Sequence, residues 1–160
     1  MMSRRIARYA LLTALAMVLS WLESMIPLSG AAPGMKLGLT NLVVIFALYR
    51  MSPRDAAVIS LARVLLVSIT FGNAYSFLYS LSGAALSFLV MASLKKTDQF
   101  SVLGVSIAGG VSHNIGQILA AMAVLGTTYL AWYLPGLLVS GTLAGAAIGA
   151  VGGLVTSRVK

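Results

Sequence analysis

The sequence predicts an all-α fold: an integral membrane bundle of six transmembrane helices, one domain over residues 1–160, with both termini cytoplasmic. Three observations predict it. Hydrophobic residues make up 59% of the chain and charged residues 9%, against about 25% charged in an average globular domain. So few charges leave most of the surface to hydrocarbon. The apolar residues fall in six runs separated by short polar or turn-forming stretches. When those runs alternate in direction, nine of the eleven Lys and Arg residues fall on one side, as the positive-inside rule asks of cytoplasmic loops.

A full crossing takes about 20 apolar residues at a rise of about 1.5 Å each. Span one is Ile6 to Ile26. Its start, SRRIARYALLTALAMVLSW, has the basic-then-apolar order of a signal peptide, with small residues later at Ser29 to Ala32. Trp21 and Glu23 close the run and every later segment is also a span, so the expectation is an uncleaved first helix. It stops at Pro27, in the turn-forming PLSGAAPG. Span two, Leu37 to Tyr49, is short, about 20 Å of helix. Span three is Asp55 to Phe71, with the turn FGN across its end. Span four is Ala74 to Leu94, closed by Lys95 and Lys96. Span five is Val102 to Leu125, and span six is Leu134 to Thr156, closed by Arg158 and Lys160. Arg4, Arg5, Arg8, Arg50 and Arg54 join the lysines on the inner side, leaving only Lys36 and Arg63 elsewhere. Trp21, Tyr129, Trp132 and Tyr133 then sit near the outer interface, where amphipathic rings prefer to be.

Helices in lipid associate through close backbone contact, because hydrocarbon offers no hydrophobic drive between them. Span six carries Gly141, Gly145, Gly149 and Gly153 at intervals of four. They predict one stripe against which a neighbouring helix packs, in this chain or another. Span one carries Ala10 and Ala14, with Ala7 near the same face. Two readings stand: internal packing, or a docking groove for a partner's helix in the cytoplasmic half.

Ionisable and amide groups inside a span are costly and point to function unless they only bond between helices. Arg63 and His113 both fall near mid-span, at comparable depth. His113, Asn114 and Gln117 lie within GGVSHNIGQIL, residues 109–119, and His113 and Gln117 share a helix face. Lys36, Thr40 and Asn41 begin span two. Asn73 opens span four, and Tyr75, Tyr79 and Ser82 follow along one face. These groups gather in the outer half, which predicts a pocket open to the outside and not a channel polar at both depths. The candidate substrate-binding set is Lys36, Asn41, Arg63, Asn73, Tyr75, Tyr79, His113, Asn114 and Gln117. Glu23 is the only acid nearby, so the pocket carries excess positive charge. It suits a ligand with an anionic or electron-rich end and an apolar or aromatic body stacked on the rings of span four. The plainer alternative is that Asn and Gln bond between helices, at about 0.6 kcal/mol apiece, and that Arg63 pairs with Glu23 or with carbonyls.

Several chemistries lack their residues. There is no phosphate-cradling GxxxxGK[ST]. Glu23, Asp55 and Asp98 are the only acids and are far apart in the topology, so no paired carboxylates and no acidic magnesium cluster are expected. One His and no Cys make no metal site. The expectation is no catalysis, no cofactor and no metal. Basic residues confined to short clusters, with no polar domain to present them, argue against nucleic acid.

The runs PGMKLGLTNLVVIFALY (33–49), SLARVLLVSITFGNAYSFLYSLSGAALSFLVM (60–91), GVSHNIGQILAA (110–121) and YLPGLLVSGTLAGAAIG (133–149) resemble one family over nearly the whole chain. It is the membrane family labelled heptaprenyl diphosphate synthase component I, also called Gx transporters. That family is similar in turn to the substrate-binding S components of energy-coupling factor transporters, through six spans, small size and the alanine-rich ALLTALAM of span one. The likeness implies an S-component-like fold with an outward pocket closed by the first loop. It implies a transmembrane coupling subunit docked at Ala10 and Ala14, and partner ATPases. The chain lacks the aspartate-rich motifs of prenyl diphosphate synthases, so the enzymatic part of the label does not carry over. What the resemblance implies is the substrate-binding subunit of an importer in the plasma membrane, taking a flavin, a quinone precursor or a prenyl compound. The alternative is a non-catalytic membrane subunit of a prenyl or quinone biosynthesis complex, or of a flavin-dependent redox complex.

Overall fold

The computed structural model describes residues 2–26 and 38–158. Lys36 and most of the first loop, residues 27–37, lie outside the described residues. Among those described there are six α-helices and one 3-10 turn, and no strand. The helices are α1 (Met2–Ser24), α2 (Asn41–Arg50), α3 (Pro53–Thr70), α4 (Ala74–Lys96), α5 (Val102–Leu125) and α6 (Leu134–Arg158). A 3-10 turn, Tyr129–Tyr133, leads directly into α6.

Local signals fix the ends. The Ser52 side chain accepts from the Asp55 N–H at 3.2 Å and Pro53 takes the first turn of α3, where a missing N–H is harmless. Asn73 and Ser76 form a reciprocal capping box at α4, both bonds 2.8 Å. Ser101 caps α5, and Gly126 ends it with φ +63°, a left-handed conformation suited to glycine.

Among the described residues, four helical stretches are long and apolar enough to cross a membrane: Ser3–Ser24, Ala74–Lys96, Val102–Leu125 and Tyr129–Arg158. The predicted second and third spans depart from that standard. α2 has 10 residues, about 15 Å of helix, half of a hydrocarbon core of about 30 Å. α3 has 18 residues, but Arg54, Asp55 and Arg63 interrupt its apolar character. α2 compensates by burial. Val43, Val44, Ile45, Ala47 and Leu48 are at most 3% exposed. They form the core together with Ala16, Ala56, Ile59, Met91, Val105 and Ile148. The short helix is thus a central pillar wrapped by the others.

Small residues set the helix spacing. A Cβ on Gly145 would stand 2.7 Å from Ile107 Cα, and one on Gly149 would stand 2.9 Å from Leu103 Cα. Gly141 faces the Gly110 carbonyl with the same closeness. The α5–α6 contact is therefore backbone on backbone, as small-residue packing in membranes requires. The stripe ends there, and Gly153 corrects the expectation, because nothing lies within 4 Å of its Cβ position. Steps of four overshoot a helical turn by about 40° each, so Gly153 has rotated about 120° from Gly141. Its neighbour Gly152 is the buried one, against Ile45 of α2.

Ala10 and Ala14 are exposed on the outer side of α1, while Thr13 and Ala16 face the bundle. Internal packing is therefore not their role. At the same end of the bundle the charged residues fasten helices together. Asp55 accepts from Arg5 and from the Tyr9 hydroxyl, joining α1 to α3. Arg50 donates to the Thr156 carbonyl, and Lys95 donates to the Leu48 carbonyl. Both place a cation against the negative end of a helix. Asp55→Ala is expected to loosen the first half of α1. Amide hydrogen exchange at residues 5–12 should accelerate while exchange in α5 stays unchanged. Equal rates in the variant and the parent protein would assign the fastening elsewhere.

Candidate ligand-binding cavity

The end of the bundle opposite this basic cluster holds a cavity of about 530 Å³. α2 begins at its base with Asn41, preceded by Gly38 and Thr40 in the same lining, and then descends into the core. α1 contributes Ser20, Glu23 and Ser24; α3 contributes Arg63, Val64, Val67 and Ser68. Ser76 and Ser80 come from α4, and Ser106, Gly110, His113 and Asn114 from α5. Gly141, Ala144 and Gly145 of α6 close the far wall, and exposed Phe71 marks the rim. The half-length of α2 goes with the space: among the described residues, no helix continues α2 upward past Asn41.

Arg63 dominates the electrostatics. It is only 9% exposed, and its Nη1 donates to the Thr40 hydroxyl at 2.9 Å. Its Nε and Nη2 have no hydrogen-bond partner among the described residues. Glu23 stands in the same lining and its charge acts on Arg63, but the two make no direct ion pair: the Glu23 carboxylate accepts from the Gly38 N–H, and the one ion pair among the described residues is Arg5–Asp55. A buried cation with two unmet donors is costly. The Ser106 hydroxyl in the same lining also lacks a partner.

Four residues of the sequence-derived set meet at this cavity: Asn41, Arg63, His113 and Asn114. Asn114 is also committed to packing, since its Nδ2 donates to the Leu137 carbonyl at 2.6 Å, tying α5 to α6. Asn73, Tyr75, Tyr79 and Gln117 do not line the cavity. Asn73 is occupied as the cap of α4. Tyr75 is 60% exposed on the outer face, and Tyr79 lies one turn further along that face. Gln117 sits in the α4–α5 seam, its Cγ 2.7 Å from where a Cβ of Gly83 would be. The face of α4 turned to the cavity is the one carrying Ser76 and Ser80, about 100° around the helix from the tyrosines. Sequence reasoning missed these serines and Ser20, Ser24, Ser68 and Ser106. The available signal was spacing: Ser20 and Ser24, like Ser76 and Ser80, stand one turn apart on a single face.

The arrangement offers fixed positive charge, an imidazole, hydroxyls and a confined volume. It offers no pair of carboxylates, because Glu23 is at the cavity and Asp55 is at the opposite end. The family model described as heptaprenyl diphosphate synthase component I matches residues 12–155. No match was found among curated proteins or among solved structures.

Proposed function

The chain belongs to the heptaprenyl diphosphate synthase component I family, and from that premise we propose that it is the membrane-embedded, substrate-binding subunit of a small-molecule importer. The cavity takes up a ligand with an anionic or strongly electron-rich end, presented from the side opposite the basic end of the bundle. The plasma membrane is the site of action, with the basic end in the cytoplasm. The observation that carries this reading is buried Arg63 lining a cavity of about 530 Å³ with two donors unmet. A group purely for helix pairing would have its donors satisfied. The chain itself performs no chemistry in this scheme. Movement of the ligand depends on partner subunits that hydrolyse ATP, docked at the exposed Ala10 and Ala14 of α1.

Mass spectrometry of small molecules retained by gently purified protein tests the reading. A flavin, quinone precursor, prenyl compound or other organic anion is expected at a substantial fraction of one per chain, and absent from Arg63→Ala. Protein that carries nothing, and is not stabilised by a small-molecule extract of its source cells, would overturn it. A second reading is a non-catalytic membrane subunit of a prenyl or quinone biosynthesis complex, which the family's description supports, or of a flavin-dependent redox complex. The exposed apolar face of α1, with Leu11 70% and Val18 52% exposed, suits either partner. The second reading expects a protein partner that survives purification and a cavity without a retained ligand.

A further inference from the structure

We infer that Arg63 seats a head group with two oxygens on one atom, a carboxylate or a phosphoryl group, on a soluble ligand. This rests on the cavity-binding reading and narrows its ligand.

A guanidinium presents its N–H groups on separate edges. The Nη1 of Arg63 is turned to Thr40. The two nitrogens without partners, Nε and Nη2, share the side edge, where two N–H bonds run parallel. That fork matches the paired oxygens of a carboxylate or phosphate. A single carbonyl, as in a neutral quinone, meets only one of the two donors. Among the described residues no carboxylate pairs directly with this edge; the Glu23 charge acts on Arg63 without a hydrogen bond to it, its Oε1 being held by the Gly38 N–H. The field adds to the fit. α2 starts at the cavity, so the positive end of its dipole lies there. Its first N–H groups already bond to the carbonyls of Gly38, Leu39 and Thr40 at 2.8–3.2 Å, so α2 contributes potential and no donors.

The rest of the wall is mixed. The rings of Tyr75 and Tyr79 are directed elsewhere, and Phe71 at the rim is the one Phe, Tyr or Trp of the lining. Ser20, Ser76 and Ser80 stand beside Ile26, Val64, Val67 and Ile148, so the wall offers hydroxyls and aliphatic groups together, and the fit specifies the head group alone.

The test is thermal unfolding of the full chain in lipid-free maltoside micelles at matched ionic strength. Sodium gluconate and sodium phosphate are expected to raise the midpoint; sodium chloride is not. R63K keeps the charge but cannot span two oxygens, and should need about tenfold more gluconate for the same rise. Equal protection by chloride overturns the seat from the parent protein alone, even if R63K does not fold. Equal response of R63K overturns it as well. A rise only with added phosphatidic acid assigns the oxygens to a lipid head group and overturns the soluble ligand. Failure here leaves the importer reading standing where mass spectrometry still finds a retained molecule. An intact Arg63 response with no retained molecule does the reverse.

Discussion

Gly145→Leu is expected to yield no monodisperse folded protein. The Cβ alone would stand 2.7 Å from Ile107 Cα and 2.8 Å from the Ser106 carbonyl, and both are backbone atoms that cannot swing aside. The largest interface of the bundle, between α5 and α6, would have to open. Gly145→Ala brings the same clash with a smaller group and should cost about 1–3 kcal/mol. Gly153→Ala supplies the control within the same helix. Its Cβ meets open space, so helix propensity alone applies, and the change should be neutral or stabilising by up to about 1 kcal/mol. Thermal unfolding in micelles separates the two. Matching midpoints for Gly145→Ala and Gly153→Ala would show that backbone contact does not set the α5–α6 distance.

Arg63→Met is expected to move stability and binding in opposite directions. The parent protein holds a charge 9% exposed, with one neutral hydroxyl partner and two donors unmet. Replacing such a charge by an apolar chain of similar length removes a large desolvation cost, which outweighs the loss of its attraction to Glu23, itself still held by the Gly38 N–H; exchange of buried charged groups for apolar ones is often neutral or stabilising, by up to about 4 kcal/mol. The ligand-free variant should therefore melt higher than the parent. It should also lose stabilisation by anions and carry no retained molecule. A variant that melts lower but keeps its ligand would make Arg63 a structural group and remove the main support for the cavity's function.

Helix number, order and most boundaries were legible in the sequence because hydropathy over a long window reports them directly. α4, α5 and α6 begin at Ala74, Val102 and Leu134, where the sequence places the starts of spans four, five and six, and the Asn73 and Ser101 caps fix the first two within one turn. The convergence of Arg63, His113 and Asn114 was also legible, since burying polar groups in a bundle forces them inward. Which face of α4 looks inward was not. Its residues are nearly uniformly apolar or small around the whole circumference, so the Tyr75–Tyr79 face and the Ser76–Ser80 face read alike. Aromatic rings suggested a wall for the ligand, yet rings are equally at home toward lipid, and serines fit the tighter inner side. The same ambiguity misplaced Gly153. Regular spacing of four looks like one stripe on paper, whereas the helix turns with a period of 3.6.

The half-length of α2 has an electrical consequence. Filled with water, the cavity leaves an insulating septum only as thick as that helix, about 15 Å, where an intact bilayer core offers about 30 Å. The transmembrane voltage then falls across half the usual distance and the local field doubles. A unit charge carried through the septum exchanges the full amount of about 2.3 kcal/mol per 100 mV while moving only the length of three helical turns.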